Sequence, residues 1–545
     1  MPGASPTTSD ALEVRTDASG VFAAFYAQRE KRPDDVFLRY GDNSWTWAEA
    51  ASQAHALACS FQDLGIEKGD RVAVTLPNWP EFVLTVLAAA EIGAVVVPLN
   101  PAYSARDLQF ILRNTEAALV VTAERYGGTE YLELFESLFS ELPGLQYLVT
   151  VGEEDLWYDD RVFQFEDLVS AGRGHALIPA DIDPTDPFAV LFTAGTSTKY
   201  KGVVQSHDSL LRTARATAAG LGMTATDRTL CTVPLFNIFG LGVALLTAIV
   251  TGSGLVLQES FDVAGVLDLI ETERPTVLHG VPTMFVMLLR EPASQTADFS
   301  SLRSGLIAGA PVTPEVADEI RARIVPDLEI AYGLTETAPT VSMTSPTDGP
   351  EQRSGTVGRP LEGVEVHILD ESEDPVPNGT EGEIAVRGFN LMSGYFRQPG
   401  ATQSAMTAGG LFKTGDLGTL DDEGYLRIDG RKRDLIIRGG YSVHPREVED
   451  HLRSLPAVAD AAVVGIPNEV LGELVCACVV LIEGALVTED EIRELCRPTL
   501  AEYKLPDVVH FVEKLPKTTT GSSRRAEISR RMRLELAVRR DEQAD

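Results

Sequence analysis

Helical stretches alternating with short apolar runs predict an α/β protein built on mainly parallel strands. Two further observations divide it. From residue 364 the texture changes to short alternating strands separated by turn-rich segments such as DESEDPVPNGTEG, which reads as hairpins closing into a small β-barrel. After Asp429, the basic, glycine-containing joint GRKRDLIIRGG precedes a further set of α and β elements. The expected layout is a large N-terminal domain over 1–430, with the barrel at about 364–429, and a small α+β C-terminal domain over 431–545.

The elements follow in order. Residues 47–63 carry the apolar spacing of an amphipathic helix, and 70–76 read as a strand. A helix at 80–93 leads to a fully apolar strand at 94–99, then a helix at 105–114 and a strand at 118–122. The pattern recurs with a strand at 189–192, a Gly/Ser/Thr/Lys loop and a helix at 206–219. Strands at 364–370 and 382–387 belong to the turn-rich section. The C-terminal part reads as helix 445–454, strands 459–465 and 475–481, and helix 488–500.

At 545 residues the chain is long enough for about three or four folding units. Lys+Arg is 46 and Asp+Glu is 80, a net charge of −34 that disfavours nucleic acid or an anionic membrane as the main partner. The charge is uneven. Residues 431–545 hold 18 basic and 20 acidic side chains (18 − 20 = −2), leaving −32 on residues 1–430. An anionic ligand therefore meets less repulsion near the C-terminal part. Five cysteines without a CxxC pair argue against a disulfide framework or a zinc site. The first twenty residues lack the apolar core of a secretory signal. The uncharged stretch 229–258 is long enough to span a bilayer, but Pro234, Asn237 and several glycines break it into a buried helix and strand. The expected setting is the cytoplasm.

Three short segments carry chemistry. The loop from Thr193 to Gly202, TAGTSTKYKG, offers hydroxyls, glycines and lysines between a strand and a helix, a reasonable anion cradle. Tyr332-Gly333-Leu334-Thr335-Glu336 combines a flat ring, a hydroxyl and a carboxylate that could stack a base, bind a phosphate and hold a divalent cation. Lys413-Thr-Gly-Asp416 places a carboxylate after a tight turn, suited to a sugar diol, and Arg431 supplies a nearby cation.

In their order and spacing these segments resemble the adenylate-forming (ANL) superfamily of acyl-CoA synthetases, 4-coumarate–CoA ligases, luciferases and peptide-synthetase adenylation domains. The resemblance runs from about Trp45 to Arg525 through GDRVAVTLPNWPEF, GAVVVPLNPAY, GAP at Gly309 to Pro311, YGLTE, GTVGRP, SGYF, LFKTGD, GYLRIDGRKRDLIIRGG and HPREVE. It implies the adenylate-forming fold: two α/β subdomains and a barrel in the N-terminal domain, and a mobile C-terminal lid hinged near Arg433. It implies two half-reactions. A carboxylate attacks the α-phosphate of ATP to give an acyl adenylate, and the thiol of coenzyme A then displaces AMP. Carried over by motif, Gly309, Ala310, Pro311, Tyr332 and Gly333 line the adenine site. Thr335 contacts phosphate and Glu336 holds Mg2+ if ATP is used. Asp416 and Arg431 hold the ribose, Gly439 and Gly440 line the pantetheine tunnel, and Asn237 borders the acyl and thiol-access region.

Three departures from that pattern matter, at the C-terminal lysine, in the phosphate loop and at Asn237. Ser522 stands where the family carries a lysine that reaches the α-phosphate and the attacking carboxylate. Loss of one such electrostatic contact costs about 10²–10³ in rate. Thr198 replaces a glycine of the phosphate loop, and Tyr200 replaces a proline, adding bulk beside the pyrophosphate. Asn237 replaces a histidine. The first two changes touch adenylation, whereas the thioester step keeps its motifs. The expected function is a ligase that takes a preformed acyl adenylate, supplied by a separate adenylating enzyme, and makes acyl-CoA and AMP. It resembles the non-adenylating acyl-CoA ligases of platensimycin- and platencin-type diterpenoid antibiotic pathways, which implies a bulky diterpenoid acyl group. The alternatives are a complete ATP-dependent ligase in which Lys517, Lys514, Lys201 or Lys199 substitutes, an adenylate-dependent amide- or diazo-forming enzyme, and a non-catalytic AMP- or CoA-binding protein.

Overall fold

The computed structural model describes residues 20–152, 160–193, 200–431, 435–482, 484–516 and 525–544. Two large sheets dominate the N-terminal region. The eight-stranded sheet has at its centre the parallel strands Val95–Pro98, Arg71–Thr75, Leu119–Ala123 and Tyr147–Val151. Each is a short run of buried residues, as a parallel sheet covered on both faces requires. The nine-stranded sheet carries the parallel strands Asp327–Tyr332, Ser304–Ile307, Val277–Leu278, Arg228–Cys231 and Gly254–Leu257.

The helix Trp47–Asp63 shows how local signals set the elements. Thr46 accepts a hydrogen bond from the Glu49 amide and Glu49 reaches back to the Thr46 amide, which satisfies two otherwise orphaned donors at the start. Its apolar face packs on Pro80–Ile92, and Trp47, Phe25 and Phe37 form an aromatic knot in the core. The uncharged stretch is divided, as expected, among the strand Arg228–Cys231, the helix Leu246–Thr251 and the strand Gly254–Leu257. Between them lies a π-helix, Phe239–Leu245, which the sequence did not announce. No helix among the described residues is long and apolar enough to cross a membrane. All five cysteines are free and buried.

Two expectations need correction. The segment expected to form a barrel is an open four-stranded antiparallel sheet ordered Val364–Leu369, Gly382–Gly388, Phe412–Leu420, Leu426–Arg431. Among the described residues its two outer strands do not pair, so no ring of hydrogen bonds closes there. The loop after Pro187–Thr193 does not run into a helix. The strand Lys201–Ser206 follows and pairs antiparallel with Pro187–Thr193, so the loop joins a hairpin. The polar residues of KGVVQS concealed that strand.

The C-terminal region folds on its own five-stranded sheet, built around the long hairpin Val458–Asn468 and Gly472–Leu481. Helix Pro445–Ser454 starts with proline at its first position and buries Val448 and Leu452 against that sheet.

His279 is fully buried between the sheet and Phe239, and neither ring nitrogen has a partner among the described residues. Burial pushes its pKa down to about 3. The folded state therefore keeps it neutral, whereas the unfolded chain takes up a proton as pH falls through about 6.5, so stability is present above that value and lost on acidification below it. Denaturant titrations at pH 7.5 and pH 5 should show the wild type losing about 2 kcal/mol relative to His279→Leu over that interval. A parallel loss in both proteins would mean that the imidazole is protonated in the fold.

Candidate active site

Four successive strands of the nine-stranded sheet deliver the site residues. Arg228–Cys231 leads to Asn237, Val277–Leu278 to Val281, Ser304–Ile307 to Gly309-Ala310-Pro311, and Asp327–Tyr332 to Gly333-Leu334-Thr335-Glu336. These strands are parallel, so the loops gather at one carboxyl edge, where open α/β sheets bind ligands.

The Tyr332 hydroxyl donates to Asp416 Oδ2 at 2.7 Å. On the other side of the carboxylate, Arg431 Nε lies 2.8 Å from Oδ1. Asp416 and Arg431 are direct cross-strand partners in the antiparallel sheet. Asp416 is 2% exposed. Burial raises its pKa, while the Arg431 charge and the Tyr332 hydroxyl pull it back. Burial, then the Asp416 charge, holds the Tyr332 phenol well above its usual value. The three residues grouped by motif are thus one hydrogen-bonded unit.

Gly333 cannot be another residue without moving backbone, because a β-carbon there would meet the Pro339 carbonyl oxygen at 1.6 Å. That close approach sets the turn presenting Thr335 and Glu336. Gln205 fixes it from below by donating to the Thr335 carbonyl at 2.7 Å. Glu336 accepts from the Tyr395 hydroxyl at 2.9 Å, and Lys201 lies 4.5 Å from the centre of the Tyr395 ring. Burial raises the Glu336 pKa, and the Tyr395 hydrogen bond and the Lys201 charge oppose it.

Gly309 and Gly440 come from distant parts of the chain and flank one side chain. A β-carbon on Gly309 would lie 3.4 Å from Val281 Cγ1, and one on Gly440 would lie 3.0 Å from the same atom. Gly439 and Gly440 form the tip between Ile436–Arg438 and Tyr441–Val443, with φ of +58° and +84°. Arg438 anchors the hairpin through a two-pronged pair with Asp507, with nitrogen–oxygen distances of 2.7 and 2.9 Å. Asn237 is half-buried, and its carbonyl accepts from the Leu241 amide at the start of the π-helix. Such π segments occur often at functional sites.

Thr198, Ser522 and Arg433 lie outside the described residues. Tyr200, expected to add bulk beside the pyrophosphate, is buried. The residue is 9% exposed, and its ring packs edge-on against Tyr103, with ring centres 5.6 Å apart. Gln205, Tyr395, Lys504 and Tyr103 support the site, yet none was singled out from sequence. Only the motif SGYF could have pointed to Tyr395.

The AMP-binding enzyme family matches residues 25–396, and the AMP-binding enzyme C-terminal domain family matches 447–522. The chain is 34% identical to a putative acyl-CoA synthetase, YngI, of Bacillus subtilis, over 90% of this chain and 92% of the relative. It is 35% identical to a 3-[(3aS,4S,7aS)-7a-methyl-1,5-dioxo-octahydro-1H-inden-4-yl]propanoyl:CoA ligase of Mycobacterium tuberculosis, covering 90% and 94%. Among solved structures, the amide bond synthetase McbA of Marinactinospora thermotolerans superposes with a TM-score of 0.84 at 30% identity, covering 94% of this chain and 99% of that one.

Proposed function

Because the chain belongs to the AMP-binding enzyme family and is an acyl-CoA ligase, we propose that its efficient step is transfer of an acyl group from an adenylate to coenzyme A, with slow activation of its own. The observation that carries this reading is the Gly439–Gly440 tip seated against Val281 at the carboxyl edge. A tip without side chains lets the backbone line a narrow path for pantetheine. The CoA sulfur attacks the acyl carbonyl carbon, the bond from that carbon to the phosphate oxygen breaks, AMP leaves, and the thiol proton passes to solvent.

Asp416 accepts hydrogen bonds from the ribose hydroxyls, with Arg431 and Tyr332 fixing its orientation. Gly309 to Pro311 and Gly333 shape the adenine slot, and Thr335 donates to the α-phosphate. A single carboxylate, Glu336, fits a magnesium ion carried mainly by the nucleotide's own phosphates. When bound, that ion neutralises the pyrophosphate leaving group. Ser522, where the resemblance expects a cation between the carboxylate and the α-phosphate, supports a slow adenylation step. A separate adenylating enzyme then supplies the acyl adenylate in the cytoplasm. The uncharged stretch around Asn237 suits a bulky apolar acid, a diterpenoid acid among them.

A paired assay tests the reading. One arm supplies apolar acids, ATP, Mg2+ and CoA, and the other supplies synthetic acyl adenylates and CoA. Acyl-CoA should form at least about 10²-fold faster in the second arm. Equal rates, or robust acid-dependent exchange of pyrophosphate into ATP, would establish a complete ligase. A third arm with an amine in place of CoA addresses the likeness to the amide bond synthetase. Amide as the main product would overturn thioester transfer.

A further inference from the structure

Tyr200 and Lys504 are 304 positions apart, yet Lys504 Nζ donates to the Tyr200 hydroxyl at 2.7 Å. The lysine side chain is fully buried, which an ammonium tolerates only when its hydrogen bonds are met. Nζ also donates to Glu447 Oε1 at 2.6 Å and lies 5.0 Å from the centre of the Tyr200 ring and 5.6 Å from that of Tyr503. Tyr503 stacks on Tyr441, the residue after the Gly439–Gly440 tip, with ring centres 4.7 Å apart. On the N-terminal side, Tyr200 is set by Tyr103 and Phe110, and its carbonyl accepts from Gln398. A continuous packed path therefore runs from the end of the phosphate-loop hairpin, through one buried cation, to the glycine tip.

We propose that Tyr200 and Lys504 form a latch between the N-terminal body and the C-terminal sheet, with Tyr200 a positioning residue that holds the glycine tip at Val281 for thioester transfer. The inference rests on the function proposed above. Glu447 and Tyr503 belong to the same C-terminal region as Lys504, so the Tyr200 hydroxyl is the hydrogen-bond partner that crosses between the two. The described ion pair of Arg290 with Glu469 at 2.9 Å, which also joins the N-terminal body to the C-terminal sheet, is solvent-exposed on both sides and holds little. A proline at position 200 has neither an aromatic ring nor a hydroxyl to offer a buried ammonium. The substitution thus converts a loop residue into an inter-domain contact.

The test uses the full-length protein with Tyr200→Phe, Lys504→Met and the double variant. Two quantities are read: single-turnover transfer from a synthetic acyl adenylate to CoA, and amide hydrogen exchange across 436–443. Each single change should slow transfer about tenfold without altering the affinity for a non-hydrolysable acyl-adenylate analogue, and should speed exchange in the hairpin. The double variant should be no worse than the worse single, because both remove one contact. Additive losses, or hairpin exchange equal to wild type, would overturn the latch. Tyr200→Phe keeps the ring and guards against a folding defect. If the wild type shows no transfer at all, the proposed function fails, while the exchange comparison still decides on the latch.

Discussion

Gly440→Leu should slow transfer from acyl adenylate to CoA by about 10²-fold or more, while binding of a non-hydrolysable adenylate stays within about threefold. Two physical effects act together. The backbone at Gly440 has φ of +84°, where a β-carbon costs about 1–2 kcal/mol. That same carbon would lie 3.0 Å from Val281 Cγ1, so the tip must twist or withdraw. Either response displaces the backbone that lines the thiol path and leaves Asp416 and Tyr332 untouched. Single-turnover kinetics and equilibrium titration separate the two properties. Equal loss of both would show that the tip supports the nucleotide and not the thiol. Gly440→Ala should fall between wild type and the leucine variant, because it adds the strain with little bulk.

Asp416→Ala should weaken AMP binding by about 10²–10³-fold, since hydrogen bonds to a charged group contribute about 1.5–3 kcal/mol each and the ribose offers two hydroxyls. The variant also leaves the Tyr332 hydroxyl and the Arg431 guanidinium without their shared acceptor. Asp416→Asn keeps the shape and one acceptor oxygen and should lose less. Calorimetric titration with AMP measures the effect, and a melting curve checks the fold. Wild-type affinity in the alanine variant would place the nucleotide elsewhere.

Much of this architecture was legible because its signals are local. The helices Trp47–Asp63 and Pro445–Ser454 announce themselves by apolar spacing and by a capping threonine or a leading proline. The grouping of Tyr332, Asp416 and Arg431 came from motif order, and no periodicity would have produced it. Lys201–Ser206 escaped because a strand gripped on both sides, by Pro187–Thr193 and Gly394–Tyr395, does not need an alternating pattern. Lys504 and Gln205 escaped for a different reason. Each is held by a partner more than a hundred residues away, Tyr200 for Lys504 and Thr335 for Gln205, and sequence alone reads both as ordinary surface side chains. Tyr200 was noticed for its bulk, yet its role follows from what its hydroxyl touches.

The pairing of Asp416 with Arg431 carries a mechanical corollary. Arg431 ends the strand Leu426–Arg431, and the next described strand in sequence, Ile436–Arg438, belongs to the C-terminal sheet. The carboxylate assigned to the sugar is therefore also the fastening of the joint. A nucleotide that strengthens this fastening stiffens the pivot, and by reciprocity a stiffer pivot retains the nucleotide. On the function proposed above, loss of AMP and loosening of this fastening are coupled, so unloading the nucleotide frees the joint.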